Sequence, residues 1–263
     1  MPIITVPIIS KALGPKGVGE YSYTNSVVQY FLLIAALGTS IYGSREIALV
    51  RKHEEKMSEK FWEVFLLKMV VSIVVGIFYF IFILFSSKEY KVLYVVQFLL
   101  ILGVLLDISW YFMGIEDFRK ISLVNLAVQI FCFVLIVIFV QNENDLITYT
   151  IIQSIAQLLP QLIIWKFIKR KIHFQAVTFF NVISHFKGAV MLLIPQIAIT
   201  LYTNMNKTVL GLFVSSTYAG YYSSAIQLIN IFITIITNLD LVLLPHMSNL
   251  FSEKDERKIL LLL

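Results

Sequence analysis

The residues most able to do chemistry are a few ionisable and amide side chains within apolar stretches. Lys68 and Asp107 lie at similar distances from neighbouring ends of two consecutive stretches, each long enough to span a membrane. Because consecutive spans run antiparallel, the ammonium and the carboxylate fall at one depth. They form either a structural ion pair or part of a polar cavity in which Asp107 takes up a proton or Na⁺ and Lys68 meets an anion.

A second polar group lies in a later apolar stretch and consists of Asn204, Asn206 and Lys207. Two amides and an ammonium within lipid fit a hydrated cavity that binds phosphate or sugar hydroxyls, or they mark a helix end just outside the bilayer. Arg45 adjoins the end of a span, where it either meets an anionic ligand or simply marks that end. Trp110 either anchors the chain at the membrane interface or stacks on a sugar ring.

Patterns typical of enzymes are missing from the sequence. It has no Walker loop, His-Glu-x-x-His motif, nucleophile elbow or kinase signature. We therefore expect no enzyme, and no catalytic residue, metal site or cofactor. Cys132 is the single cysteine, so the chain forms no internal disulfide. The histidines fall in or beside predicted loops and are interpreted as surface residues; they are His53, His173, His185 and His246.

The composition defines the elements that must position these groups. Hydrophobic residues make up 59% of the 263 residues, and charged residues make up 14%, against about 25% in a soluble domain. The mean hydropathy is +0.84. Since a lone segment can satisfy its backbone in lipid only as a helix, these values predict an all-α, polytopic membrane protein.

About eight apolar stretches are candidates for transmembrane helices. They run from the start to Leu13 and over Tyr21–Ser44, Phe61–Ser86, Val92–Ile115, Ile121–Val140, Leu146–Ile168, Gly188–Phe213 and Tyr221–Pro245. The first is too short to cross a bilayer, and residues 259–263 resemble the opening of a further span. We therefore interpret the chain as a fragment whose first helix is incomplete.

The chain also carries a weak internal repeat. A shift of about 200 residues aligns Gly19-Glu20-Tyr21 with Ala219-Gly220-Tyr221, and it aligns two charged runs at 51–60 and 251–260. Six spans per repeat predict a two-lobe transporter fold with a truncated second lobe, in which the lobes are related by an axis along the membrane normal. Residues 1–187 would form the first six-helix lobe, and residues 188–263 would start the second with helices seven, eight and the beginning of nine.

The distribution of positive charge predicts the orientation. Fifteen of the 21 lysines and arginines fall on one side of the predicted spans and four on the other. Because lysine and arginine accumulate in cytoplasmic loops, the first side is expected to face the cytoplasm. That side contains the loops Arg45–Lys60, Lys166–Lys187 and Glu253–Lys258, and the turn at Leu13–Tyr23 then lies outside.

Five stretches, in order along the chain, resemble motifs of one family of membrane transporters. They are Leu13-Gly14-Pro15-Lys16-Gly17-Val18-Gly19-Glu20-Tyr21-Ser22, Tyr42-Gly43-Ser44-Arg45-Glu46, Asp107–Glu116, Thr203–Lys207 with Gly220–Ser223, and Leu244–Ser248. Through them the chain resembles the polysaccharide exporters, the Wzx-type flippases of lipid-linked oligosaccharides for O-antigen or capsule. These belong to the multidrug/oligosaccharidyl-lipid/polysaccharide exporter superfamily.

The resemblance implies a flippase that moves polyprenyl-diphosphate-linked oligosaccharide units from the cytoplasmic to the outer leaflet. The units would feed lipopolysaccharide, capsule or exopolysaccharide synthesis, by alternating access coupled to an ion gradient. The expected partners are the lipid-linked oligosaccharide, the bilayer, a polysaccharide polymerase and glycosyltransferases, without nucleic acid, in the bacterial plasma (inner) membrane. The expected cavity residues are Lys68, Lys207, Asn204, Asn206, Arg45 and Trp110, with Asp107 for ion coupling.

Three other functions remain open on the sequence. A multidrug or cation antiporter of the same superfamily should have a cavity that is acidic in balance. A non-transporting scaffold of envelope assembly would need no polar groups within its spans. A membrane-embedded glycosyltransferase should carry a carboxylate pair in a sizeable loop, and no such pair is evident.

Overall fold

The computed structural model describes residues 2–168 and 172–253. Within these ranges the chain forms α-helices and no strand, which confirms the predicted all-α class. The helices are α1 (Pro2–Ala36), α2 (Thr39–Val50), α3 (Glu54–Phe85), α4 (Lys88–Leu106), α5 (Ser109–Gly114), α6 (Phe118–Phe139), α7 (Leu146–Ile168), α8 (Phe179–Phe213) and α9 (Ser216–Glu253). A single 3₁₀ turn, Glu143–Asp145, precedes α7 in this part of the chain.

Six segments of the described chain are long and apolar enough to cross a membrane. They are Ile4–Val50, Glu54–Phe85, Lys88–Gly114, Phe118–Phe139, Glu143–Ile168 and Phe179–Phe213. The prediction of a polytopic membrane protein is therefore confirmed, while the number of eight spans stays a prediction. Helices α3 and α8 begin several residues before the predicted spans, because polar residues continue each helix beyond its apolar part.

Helix α1 is broken at Gly14, which has φ 64° and ψ 174°. Glycine suits this position because a positive φ is strained for residues with a Cβ, and the fixed φ of Pro15 then starts the next helical turn. Val6 lies well before the break and Ser22 well after it, yet both line one small cavity. The chain therefore bends at Gly14. The turn predicted at Leu13–Tyr23 is thus concentrated in one residue, and the remainder of that stretch is helical.

The two halves of the predicted repeat meet where α1 crosses α9. A side chain at Gly19 would collide with the carbonyl group of Ser216, and one at Gly220 would collide with that of Pro15. Three residues further along each helix, the hydroxyl group of Ser22 donates to Ser223 Oγ at 2.8 Å. The two glycine segments that the repeat aligns therefore pack against each other.

The interior of the bundle is filled by apolar clusters, and its exterior is apolar as well. Phe61, Trp110, Tyr111 and Phe112 belong to an aromatic cluster that joins α3 to α5. Outward-facing side chains on the same spans are large and apolar, as lipid contact requires; Phe78, for example, is 62% exposed.

The loops of the bundle gather at two ends. Gly14 lies against Glu143, which places the α1 break beside the loop between α6 and α7. At the opposite end, Trp62 Nε1 donates to the carbonyl oxygen of His173 at 3.0 Å, just before α8. We refer to these as the Gly14 end and the His53 end, since His53 forms part of the α2–α3 loop.

Candidate functional site: a cleft lined by amides

The main polar feature of the structure is a cleft that runs along α7. It comprises two cavities of about 410 and 420 Å³, and both are lined by Gln153, Gln157 and Gln161. These glutamines are spaced by four residues, so they form one stripe on the helix. We refer to the two cavities, which share this stripe, together as the cleft.

Helix α1 forms the wall opposite this stripe in the first cavity. Its residues Tyr21, Asn25 and Gln29 are also spaced by four. Asn25 Nδ2 donates to Tyr21 Oη at 2.9 Å, and Gln29 Nε2 donates to Asn25 Oδ1 at 3.0 Å. In the second cavity, α6 contributes Asn125 and Gln129. An amide side chain both donates and accepts hydrogen bonds, as a sugar hydroxyl group does.

Asp107 brings one carboxylate to this cleft because the fourth span is interrupted there. Helix α4 ends at Leu106, and α5 begins at Ser109. Asp107 Oδ1 accepts a hydrogen bond from the backbone N–H of Ser109 at 2.9 Å, and this caps the start of α5. The Asp107 side chain is 21% exposed and lines the first cavity. Broken helices beside binding sites are a recurring feature of membrane transporters.

Lys68 and Trp165 donate hydrogen bonds to backbone carbonyl groups at the helix break. Lys68 Nζ donates to the carbonyl oxygen of Asp107 at 2.8 Å and to Asp107 Oδ2 at 3.0 Å. Trp165 Nε1 donates to the carbonyl oxygen of Leu106 at 2.8 Å. The predicted placement of Lys68 and Asp107 at one depth is thus observed as an ion pair. The Lys68 side chain is only 1% exposed, so it lies behind the carboxylate and not on the cleft surface.

Lys207 and Asn204 border the same polar region from α8. They line a cavity of about 180 Å³ that shares Tyr21, Asn25 and Gln29 with the first cavity. This arrangement brings an ammonium group to one part of the cleft and the Asp107 carboxylate to another. The cleft therefore combines one ammonium group with many neutral hydrogen-bonding groups.

The other predicted site residues lie elsewhere. Asn206 is exposed, and its Nδ2 donates to Tyr222 Oη at 2.7 Å. Arg45 is exposed on α2 and borders none of the three cavities described above. Trp110 is fully buried and stacks on Phe61 with 5.3 Å between the ring centroids. Of the seven predicted residues, the structure brings Asp107, Asn204 and Lys207 to the cleft.

The sequence interpretation missed the amides, although a signal for them is present. Three apolar helices carry amide side chains at a spacing of four residues, and this spacing places each pair on one helix face. The pairs are Asn25 with Gln29, Asn125 with Gln129, and Gln153 with Gln157. Amides on one face of a membrane helix cost free energy unless they meet partners or water, so the pattern indicates a shared polar surface.

The interpretation of the histidines as surface residues is wrong for His185. Helix α8 begins at Phe179, so His185 lies within the helix and packs against α3, with a side chain only 4% exposed. His53 and His173 are exposed, as expected. The side chain of His246 lies outside the described residues.

These observations first define a class: an α-helical, multi-pass membrane protein with a polar cleft beside an interrupted helix. The chain belongs to the family described as polysaccharide biosynthesis protein, whose sequence profile matches residues 1–251. This match confirms the resemblance to the Wzx-type polysaccharide exporters.

A curated relative agrees with this assignment. Over 229 residues the chain is 23% identical to a putative O-antigen transporter of Escherichia coli (strain K12). The match covers 86% of this chain and 55% of the relative, so the chain spans about half the length of that protein. No solved structure matches the chain.

Proposed function

We propose that this chain is the part of a flippase that binds a lipid-linked oligosaccharide and carries its head group across the membrane. The observation that carries the proposal is the amide-lined cleft between α1, α6 and α7. A sugar presents many hydroxyl groups that must exchange water for protein hydrogen bonds, and amides supply both donors and acceptors. The named function of the E. coli relative, an O-antigen transporter, supports the same substrate class.

Lys207 fits the diphosphate of such a substrate. It lies beside the cleft on α8, and the ion pairs found among the described residues do not include it. A diphosphate is a compact anion that hydrocarbon excludes, so a cation at the edge of the cleft lowers the cost of its passage. The polyprenyl tail stays in the bilayer while the sugars pass through the cleft.

The remaining parts of the proposal follow the expected transport cycle. Residues 1–187 form the first lobe, residues 188–263 begin the second, and the lobes alternate access to the two sides of the bacterial inner membrane. The head group moves outward from the cytoplasmic leaflet, where glycosyltransferases build it, to the outer leaflet, where a polymerase uses it. Asp107 remains our ion-coupling candidate for the gradient, although its contact with Lys68 leaves little room for Na⁺.

The cleft disfavours the alternative of a multidrug or cation antiporter. A site for organic cations needs unpaired negative charge, as an ammonium on its own is costly to bury. Among the described cleft residues, Asp107 is the one carboxylate, and Lys68 already neutralises it. Neutral amides next to an ammonium group favour an anionic, hydroxyl-rich substrate.

The proposal is tested by removing one cleft amide in the native gene. Gln157→Leu should lower surface polysaccharide roughly five- to tenfold, because one hydrogen bond to a hydroxyl group contributes about 1 kcal/mol. Gln141→Leu makes the same chemical change on an exposed loop and should leave export unchanged. Surface glycan is measured by immunoblot and normalised to the amount of protein in the membrane. Normal export by Gln157→Leu, or equal losses in both variants, would refute the proposal.

A further inference from the structure

The buried cluster at the His53 end has a charge arrangement that the cleft does not explain. Glu63 Oε2 accepts a hydrogen bond from Lys60 Nζ at 2.7 Å and lies 2.8 Å from His185 Nε2. His185 Nδ1 lies 2.6 Å from Tyr42 Oη. The cluster joins α2, α3 and α8, and the side chains of Glu63 and His185 are 1% and 4% exposed.

The hydrogen bonds fit a neutral imidazole. With its proton on Nε2, His185 donates to Glu63, and Nδ1 accepts a hydrogen bond from the Tyr42 hydroxyl group. The charges of Glu63 and Lys60 then cancel, and the cluster carries no net charge. Lys60 is 31% exposed and connects the cluster to water at the His53 end.

One more proton would destabilise this arrangement. If it binds to His185, the imidazolium and the Lys60 ammonium lie 3.4 Å apart, and the Tyr42 hydroxyl hydrogen loses its acceptor. Two positive charges then share the single Glu63 carboxylate, so the cluster carries a net positive charge, which is costly where two of its members are buried.

Other charges near the cluster do not offset the positive charge that the added proton brings. On α2, the negative charge of Glu46 and the positive charge of Arg45 both lie near Tyr42, and their electrostatic effects on it oppose each other. On α8, Lys187 is exposed two residues beyond His185. On α3, Lys60 and Glu63 are the charged members of the cluster itself.

The contact between the helices around the cluster is close and depends on small residues. Gly188 packs against the Tyr42 ring, and Gly38, with φ 67°, packs against the backbone of Ala189. A contact of this kind, joined by one buried histidine and one buried carboxylate, can exist in two states, because histidine changes charge between about pH 5 and 8.

We propose that Tyr42, Lys60, Glu63 and His185 form a proton-binding site that holds α8 against α2 and α3, and that binding of one proton releases α8. On the proposed function, on which this role rests, α8 is the first helix of the second lobe. The site then couples proton uptake at the His53 end to the separation of the lobes there. The proton site lies at the contact between the lobes and is separate from Asp107 in the cleft.

The test measures the distance between α2 and α8 as a function of pH. Nitroxide labels are attached at Leu49→Cys and Phe180→Cys, both exposed positions, in a Cys132→Ala background reconstituted in lipid vesicles. Pulsed electron paramagnetic resonance should show one short distance at about pH 8 and a longer one that grows on acidification. The ratio of long to short should rise by at most about tenfold per pH unit, the limit for a single proton.

Two variants should change this profile in opposite directions. His185→Gln keeps hydrogen bonds to Tyr42 and Glu63 but cannot take up the proton, so the distance should stay short at every pH. Glu63→Gln imitates the protonated cluster and should show the long distance already at about pH 8. His53→Gln changes an exposed histidine and should behave like the parent chain.

The outcomes separate this proposal from the transport function. A distance independent of pH in the parent chain, or a pH response that persists in His185→Gln, would overturn the proton site. The distances are measured without glycan, so they do not depend on the export result for Gln157→Leu. If His185→Gln does not fold, Glu63→Gln decides: a distance at about pH 8 equal to that of the parent refutes the site.

Discussion

Lys68 stabilises the helix break at Asp107, and we expect replacement of Lys68 to lower the stability of the fold. Lys68→Met leaves the Asp107 carboxylate unpaired and its carbonyl group without a donor in the bundle interior. Breaking a buried pair in this way costs about 3–5 kcal/mol. The midpoint of thermal unfolding in detergent should fall strongly, whereas Lys56→Met, at an exposed position on the same helix, should leave it unchanged.

A double variant separates the two roles of Asp107. Replacing Lys68 with Met and Asp107 with Leu removes both charges, so stability should recover in part, while the carbonyl group at position 107 and the N–H group of Ser109 still lack partners. Export should stay low, because the carboxylate that lines the cleft is gone. Membrane abundance and surface glycan are measured together. Export restored to the wild-type level would mean that the pair serves structure alone.

Lys207 should matter for transport and little for folding. It is half-buried beside the cleft, and hydrogen bonds to charged groups contribute about 1.5–3 kcal/mol. Lys207→Ala should therefore reduce surface polysaccharide by about ten- to a hundredfold, with normal amounts of protein in the membrane. Lys187→Ala, exposed on the same helix, is the matched control. Normal surface polysaccharide in Lys207→Ala would remove Lys207 from the site.

At this scale, charge was easier to predict from the sequence than side-chain direction. Lys68 and Asp107 stand out because ionised groups are rare within spans, and antiparallel helices fix their relative depth. The direction of Trp110 depends on the neighbours of α5, which supply an aromatic cluster in place of a cavity. His185 looked like a loop residue since the polar sequence around it hides the early start of α8.

The crossing of α1 and α9 depends on two glycines. Gly220→Ala should destabilise the protein by about 1–3 kcal/mol, because the added methyl group meets the rigid backbone of Pro15. Gly76→Ala makes the same change where the new Cβ has only ordinary contacts, the closest at 3.8 Å, and it should be tolerated. Thermal unfolding in detergent compares the two, and equal stability of both variants would contradict the close crossing.

Two breaks in the helices show what the sequence can predict about elements. The break at Gly14 was predictable, because glycine followed by proline has few conformations that continue a helix. The break at Asp107 has no such signal, since Leu106 and Ile108 flank it within an apolar stretch. It depends on donors from two other helices, Lys68 and Trp165, and therefore on tertiary structure.

At the scale of the whole molecule, the sequence predicted the class and the order of the helices well, but not the cleft. Apolar length fixes where helices can span, and the described helices follow the predicted order. The cleft arises from faces of α1, α6 and α7 that are distant in sequence, so it becomes visible only when the helices pack. The predicted division into lobes stays a prediction, and the glycine segments that the repeat aligns are in contact where α1 crosses α9.

The orientation in the membrane is the last prediction. The excess of lysine and arginine at the His53 end predicts that this end faces the cytoplasm. In a Cys132→Ala background, Gln141→Cys at the Gly14 end should react with a membrane-impermeant maleimide in intact cells. Lys52→Cys should react only after permeabilisation; both positions are exposed, so reactivity reports the side of the membrane. The opposite labelling would show that the chain has the reverse orientation in the membrane. Proton uptake at the His53 end would then occur from outside the cell.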